Sequence, residues 1–164
     1  MDTTELEAAY RAVLDLAGPV ADRGSDEPGR SAGGGEEAWE ADEVLAHLVL
    51  NDRLLARAVR SVLDGAAQPY DNAEAIDPAR LRELSERLAT AELIRALEAS
   101  SRELVELAGR LDQPQGDTQL PVMIVDGGEV FLDRPVPVAQ LLGIQARAHL
   151  PMHERQLGKL LGRP

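Results

Sequence analysis

The sequence has no cysteine and very few aromatic side chains, with one Trp, two Tyr and one Phe in 164 residues. Without cysteine there is no catalytic thiol, no disulfide and no Cys-based zinc site. Any thiol chemistry would need the thiol to arrive as a substrate. With aromatics at 2%, the core must be built from Leu, Val, Ile and Ala, which favours helix packed on helix. No apolar run approaches the roughly 18 residues of a membrane span. The opening stretch MDTTELEAAYRAVLDLAG is acidic and amphipathic, and lacks the basic and continuous apolar regions of a signal peptide. The expected location is cytoplasmic.

A basic face is also missing. Lys and Arg total 17 against 29 Asp and Glu, a formal net charge of -12, and the arginines are interleaved with glutamates. Such a surface repels a phosphate backbone, so nucleic acid is not an expected partner. The length suits one domain, 1–164, able to bury a core without staples.

What is present reads mostly as helix. Leu6, Ala9, Val13, Leu16 and Ala17 recur at helical spacing and predict a helix over 3–17, capped by Thr3 or Thr4. GPVADRGSDEPGRSAGGGEE (18–37) then breaks the pattern, and 18–38 reads as a flexible connection. Its GGG is not a phosphate loop, since no Gly-Lys-Ser/Thr follows and no strand precedes. A second helix is expected over 41–63, with Val44, His47/Leu48, Asn51, Leu55, Ala58/Val59 and Val62 inward. After a loop at 65–77, Asp77-Pro78 reads as N-cap and first turn of a short helix to Leu88. Thr90 is expected to cap a helix over 91–111, with Leu93/Ile94, Leu97, Leu104, Leu107 and Leu111 inward, followed by a loop at 112–121. VMIVDGGEVFLD (122–133) changes period around Asp126-Gly127-Gly128 and predicts a hairpin, the only expected β structure. The last helix is expected from about Pro137 to Leu161. The fold class is thus all-α: four long helices, a short one, and a small hairpin before the last.

The chain has three histidines. His149 and His153 stand four residues apart in HLPMHERQL (149–157), so on a helix they leave the same face with Cβ atoms about 5–6 Å apart. Two imidazoles so placed can share one metal at about 2.0–2.1 Å each. The plainer alternative is a pair of partly exposed histidines facing water or carboxylates. The neighbours favour a buried face: Ala148, Leu150 and Met152 are apolar, and Leu142, Gln145, Gln156 and Leu160 lie on the same side. His47 occupies the inward stripe of the second helix, so a bundle can bring all three to one metal. A lone core histidine is the alternative for it. The motif is not that of a zinc protease, which needs Glu after the first His; here position 150 is Leu.

WEADEVLAHLVLNDRLL (39–55) resembles the second-helix signature of the DinB/YfiT-like superfamily, a Trp followed by a helix carrying the first metal histidine. PVPVAQLLGIQARAHLPMHERQLGKL (135–160) is similar to the family's last helix, with its H-x-x-x-H pair followed by Gln. The matching stretches cover a third to a half of the chain, and the two motifs occur in the family's order. The resemblance implies an up-down-down-up four-helix bundle, often a homodimer. It also implies a divalent metal, zinc or nickel, held by three ligands matching His47, His149 and His153, with positions open for water or substrate. Characterised members are transferases of low-molecular-weight thiols such as mycothiol or bacillithiol, and a mycothiol-dependent maleylpyruvate isomerase. The isomerase branch carries Glu where this chain has His149, and a further C-terminal domain. Both departures direct the expectation to the S-transferase-like branch, a metal-dependent enzyme joining a small thiol to an electrophile. The alternatives are a non-catalytic metal-containing bundle that binds a ligand or partner, and a metal-dependent hydrolase using bound water.

Asn51, Gln145 and Gln156 lie one turn from these histidines and are candidates to orient them or to touch substrate; ordinary polar helix positions are the alternative. Arg147 and Arg155 are candidates to bind an anionic substrate group, with solvated surface charge as the alternative. No catalytic residue is singled out. Pro151 raises a separate question. It lacks an N–H, so the carbonyl of Arg147 loses its helical donor and Leu150 is biased out of the α region. A kink there would either aim His149 or serve packing alone.

Overall fold

The computed structural model describes residues 1–18 and 39–162. The expected connection at 18–38 therefore falls almost wholly outside the described residues. Helix α1 spans Thr4–Ala17 and α2 Ala41–Leu63; after a short strand β1, Tyr70–Asp71, come α3, Ala73–Ile76, and α4, Pro78–Arg87. The long α5 is Thr90–Gly109, followed by α6, Gln113–Gly116, and strands β2, Gln119–Asp126, and β3, Glu129–Pro137. The final helical rod has three parts: α7, Val138–Ile144, a π-helical turn, Gln145–His149, and α8, Leu150–Leu160. No described helix is long and apolar enough to cross a membrane.

Leucine, valine and alanine fill the core, as the scarcity of aromatics requires. Leu45, Leu48, Leu55, Leu93, Leu97, Leu104, Leu142, Leu150 and Leu157 are fully buried. Helix α2 packs along α5, and α1 packs on α8 and the π turn. Burial of α1 runs through Leu6, Tyr10, Val13 and Ala17. The inward stripe is therefore rotated toward Tyr10 from the predicted one, leaving Ala9 and Leu16 only partly covered.

Local capping sets the helix starts. The Asp77 carboxylate accepts from the amide of Ala79 at 2.8 Å, with Pro78 in the first turn. Thr90 does not cap α5. Ala89 is the N-cap, its amide donating to the Glu92 carboxylate at 3.0 Å. The Thr90 hydroxyl instead donates to Asp42 at 3.1 Å, tying α5 to α2.

The bundle carries more β structure than the expected hairpin. β2 and β3 pair antiparallel from Gln119↔Pro137 to Asp126↔Glu129, and β1 adds a parallel edge through Tyr70↔Val122. Gly127 and Gly128 take φ of 56° and 86°, the left-handed conformations a two-residue hairpin turn demands. The ladder is interrupted where Ile124 pairs Leu132 but Val125 pairs Val130, so Phe131 is the extra residue of a β-bulge. Asn72 bridges this break: its side chain both donates to the Val125 carbonyl and accepts from the Val125 amide, each at 2.9 Å.

The last helix stays helical through Pro151. Leu150 keeps α-helical angles (φ -59°, ψ -46°), and its amide bonds the carbonyl of Gln145, five residues back. The bias expected before proline is thus overridden. The missing amide is absorbed by one wide π turn, which inserts a residue into the register without breaking the rod.

Candidate metal centre

The second turn of α2 delivers His47 and the junction of the π turn with α8 delivers His149 and His153. One nitrogen from each lies within 4.8 Å of the others, an arrangement that could hold a metal ion. Ring centroids are 5.0 Å apart for His47 and His149, 4.7 Å for His47 and His153, and 4.6 Å for His149 and His153.

Hydrogen bonds on the opposite ring edges fix which atoms face inward. His47 Nδ1 is 2.8 Å from the carbonyl oxygen of Ala75. A carbonyl only accepts, so Nδ1 carries the proton and Nε2 is a bare lone pair. His153 Nδ1 is 2.7 Å from Gln156 Oε1, leaving its Nε2 buried with no partner. His149 Nε2 approaches His47 Nε2 to 2.9 Å, and its Nδ1 is buried without a partner. Buried polar atoms are normally satisfied, so the orphan Nε2 of His153, in a cluster where the Nε2 atoms of His47 and His149 already face each other, marks a position that a divalent ion would satisfy. The donor set of three neutral imidazoles suits a divalent transition metal.

Burial keeps these rings neutral, the form a ligand must have. It pushes His47 down to about 3, with further lowering by His153. It pulls His153 down to about 4, with smaller opposing effects from Gln156 and the Asp126 carboxylate. His149 is held well below the ordinary imidazole range by burial and by its two neighbours. Trp39, just before α2, closes one side, its ring 4.8 Å from His47 and stacked at 6.2 Å with His153.

Beneath the centre lies a buried polar chain. Tyr70 donates to Asn51 Oδ1 at 2.5 Å, Asn51 Nδ2 donates to Gln145 Oε1 at 3.0 Å, and Gln145 Nε2 donates to Asp52 Oδ1 at 3.3 Å and to the Tyr10 hydroxyl at 3.2 Å. Tyr10 also donates to Asp52, and Ser100 donates to its other oxygen at 2.9 Å. Burial pushes the Asp52 carboxyl up to about 7 against these hydrogen bonds. A pocket of about 190 Å³ opens beside His149, walled in part by Asn51, Tyr70, Gln145 and Phe131.

The structure thus brings together His47, His149 and His153, sets Gln156 behind His153, and places Asn51 and Gln145 in the pocket wall. It does not bring the two arginines there. Arg147 pairs with Glu5 at 2.8 Å on the surface, Arg155 is exposed, and neither lines the pocket. Sequence reasoning missed Tyr10, Asp52, Tyr70 and the Ala75 carbonyl. Asp52 and Tyr10 lie outside the predicted stripes, and a backbone carbonyl leaves no mark in side-chain spacing.

No protein-family model matches the sequence, and no curated protein does. Among solved structures, the chain is similar to a mutant of the mycothiol-dependent maleylpyruvate isomerase, at a TM-score of 0.62 and 15% sequence identity. The similarity covers 96% of this chain and 61% of the isomerase, so this chain spans less than two thirds of that protein. The likeness is one of fold, a helical bundle with a small sheet.

Proposed function

We propose that this chain binds one divalent metal ion through His47, His149 and His153, and that it joins a low-molecular-weight thiol to an electrophile in the adjoining pocket. The observation that carries the metal assignment is the convergence of the three rings, with Nε2 of His153 buried and unpartnered. When bound, such an ion supplies positive charge that deprotonates a small thiol beside it, giving a nucleophile at neutral pH.

The chain's own residues do the rest. The Ala75 carbonyl and the Gln156 carboxamide hold His47 and His153 in the tautomer that leaves Nε2 free, and restrict ring rotation. Trp39 shields the rings from water. The Asp52–Gln145–Asn51–Tyr70 chain fixes the pocket wall next to His149. The lack of cysteine fits a reaction whose thiol arrives from outside.

The competing reading is a metal-containing bundle without catalysis. A sealed ion would favour it; a pocket open beside His149 supports the enzyme. The mycothiol-dependent neighbour supports a thiol co-substrate. The test is metal analysis of protein prepared without a histidine tag, followed by a conjugation screen pairing mycothiol, bacillithiol and glutathione with electrophiles. Metal-dependent conjugate formation is expected. A stoichiometric metal with no conjugation for any pair would favour the non-catalytic bundle. We also propose that the chain pairs as a homodimer, which light scattering at micromolar concentration checks.

A further inference from the structure

Six polar side chains line the pocket beside His149, yet most have already committed their hydrogen bonds to the protein. Gln145 gives its oxygen to Asn51 and its nitrogen to Asp52 and Tyr10. Asn51 is engaged at both ends, and the Tyr70 proton is spent on Asn51. Asn72 is clasped to both backbone groups of Val125. His149 turns Nε2 toward His47. That leaves the unpartnered Nδ1 of His149 and Asp126, an exposed carboxylate where β2 meets the hairpin turn. Among the described residues, no Arg or Lys lines the pocket.

The remaining wall is apolar: Leu55, Ile124, Phe131, Leu141, Ile144 and Met152 contribute most of it. Phe131 is 71% exposed, an unusual position for a phenyl ring. It is the bulged residue of β3, and a bulge re-aims its side chain out of the regular alternation. Here the bulge sets the ring at the pocket, where it would be covered by an occupant.

We infer that this pocket binds an uncharged, predominantly apolar molecule about the size of a substituted benzene ring, and that its side-chain lining, apart from the charge of an ion at the adjoining centre, selects against carboxylates. A carboxylate entering it would be stripped of water, meet no cationic side chain, and face Asp126. Under the function proposed above, on which this assignment of role rests, the occupant is the electrophile.

Nitrobenzene and benzoate are nearly the same shape and differ in charge, which makes them suitable probes. Their affinities are measured by NMR titration on metal-free and metal-loaded protein, with metal content determined on the same samples. On metal-free protein nitrobenzene should bind at least about tenfold more tightly than benzoate. Phe131→Ala should weaken nitrobenzene, and Asp126→Lys should raise benzoate affinity more than nitrobenzene affinity. Both positions are exposed, so the fold tolerates the changes. The inference is overturned if benzoate binds metal-free protein as tightly as nitrobenzene, if neither binds, or if Phe131→Ala leaves nitrobenzene affinity unchanged. Selectivity retained in protein that takes up no metal would overturn the metal centre and leave the pocket assignment standing.

Discussion

His47 Nδ1 lies 2.8 Å from the carbonyl oxygen of Ala75, a residue 28 positions further along the chain. This one contact decides the tautomer of the ring and points its Nε2 at His149. The acceptor comes from α3, a four-residue helix packed against α2.

Removing any one histidine should therefore break the centre more than the fold. His47→Ala, His149→Ala and His153→Ala each leave two ligands. Divalent-metal content should fall steeply, while the unfolding free energy of the metal-free protein changes by no more than about 3 kcal/mol. Equilibrium dialysis and urea denaturation check the two quantities separately.

Gln156→Leu keeps all three ligands and removes the acceptor behind His153. The metal affinity should drop by about 10–100-fold, the usual effect of losing an outer partner. Competition with a chelator measures it. An unchanged affinity would show that the ring is held by packing alone.

Pro151→Ala tests the π turn. The new amide can bond the Arg147 carbonyl and allow an α register through Gln145–His149. We expect helix content by circular dichroism to rise and metal affinity to fall, because the position of His149 depends on the wide turn. An unchanged affinity would make the proline a packing feature.

Acid should destabilise the metal-free protein. The three histidines have folded pKa values below the ordinary 6.5, so the unfolded chain binds more protons below that pH. Their contribution is present above about 6.5 and is lost as pH falls toward the folded values near 3 to 4. Asp52 acts in the opposite direction. Raised from 3.8 to about 7, it contributes stability at low pH that is lost as pH rises across that window. Three groups against one give a net loss on acidification. Asp52→Asn removes the opposing effect, so its urea midpoint should fall more steeply between about pH 7 and about pH 4 than that of the parent chain.

Much of this was legible in the sequence because helical spacing speaks for residues that share a face. The stripes of α2 and α5 predicted their burial, and the i, i+4 histidines with His47 predicted the cluster. Asp52 was not legible: a lone carboxylate in a helix is normally solvated, and only Tyr10, Ser100 and Gln145, distant in sequence, make its burial tolerable. Strand β1 was hidden for a different reason. Two residues carry no alternation, and Tyr70–Asp71 is held by the edge of β2 and by Asn72 across the bulge. Pro151 signalled an irregular helix but not its form. A kink and a π turn both accommodate a missing amide, and the spacing of residues around the proline is the same for either.

The proposed metal site draws one ligand from each of the three histidines. Its most direct test is X-ray absorption spectroscopy of untagged protein loaded with zinc or nickel, with metal quantified per chain. One ion per chain is predicted, with imidazole nitrogens in its first shell at about 2.0–2.1 Å, lost in His149→Ala. Substoichiometric metal, or an ion whose imidazole signal survives that substitution, would contradict the account.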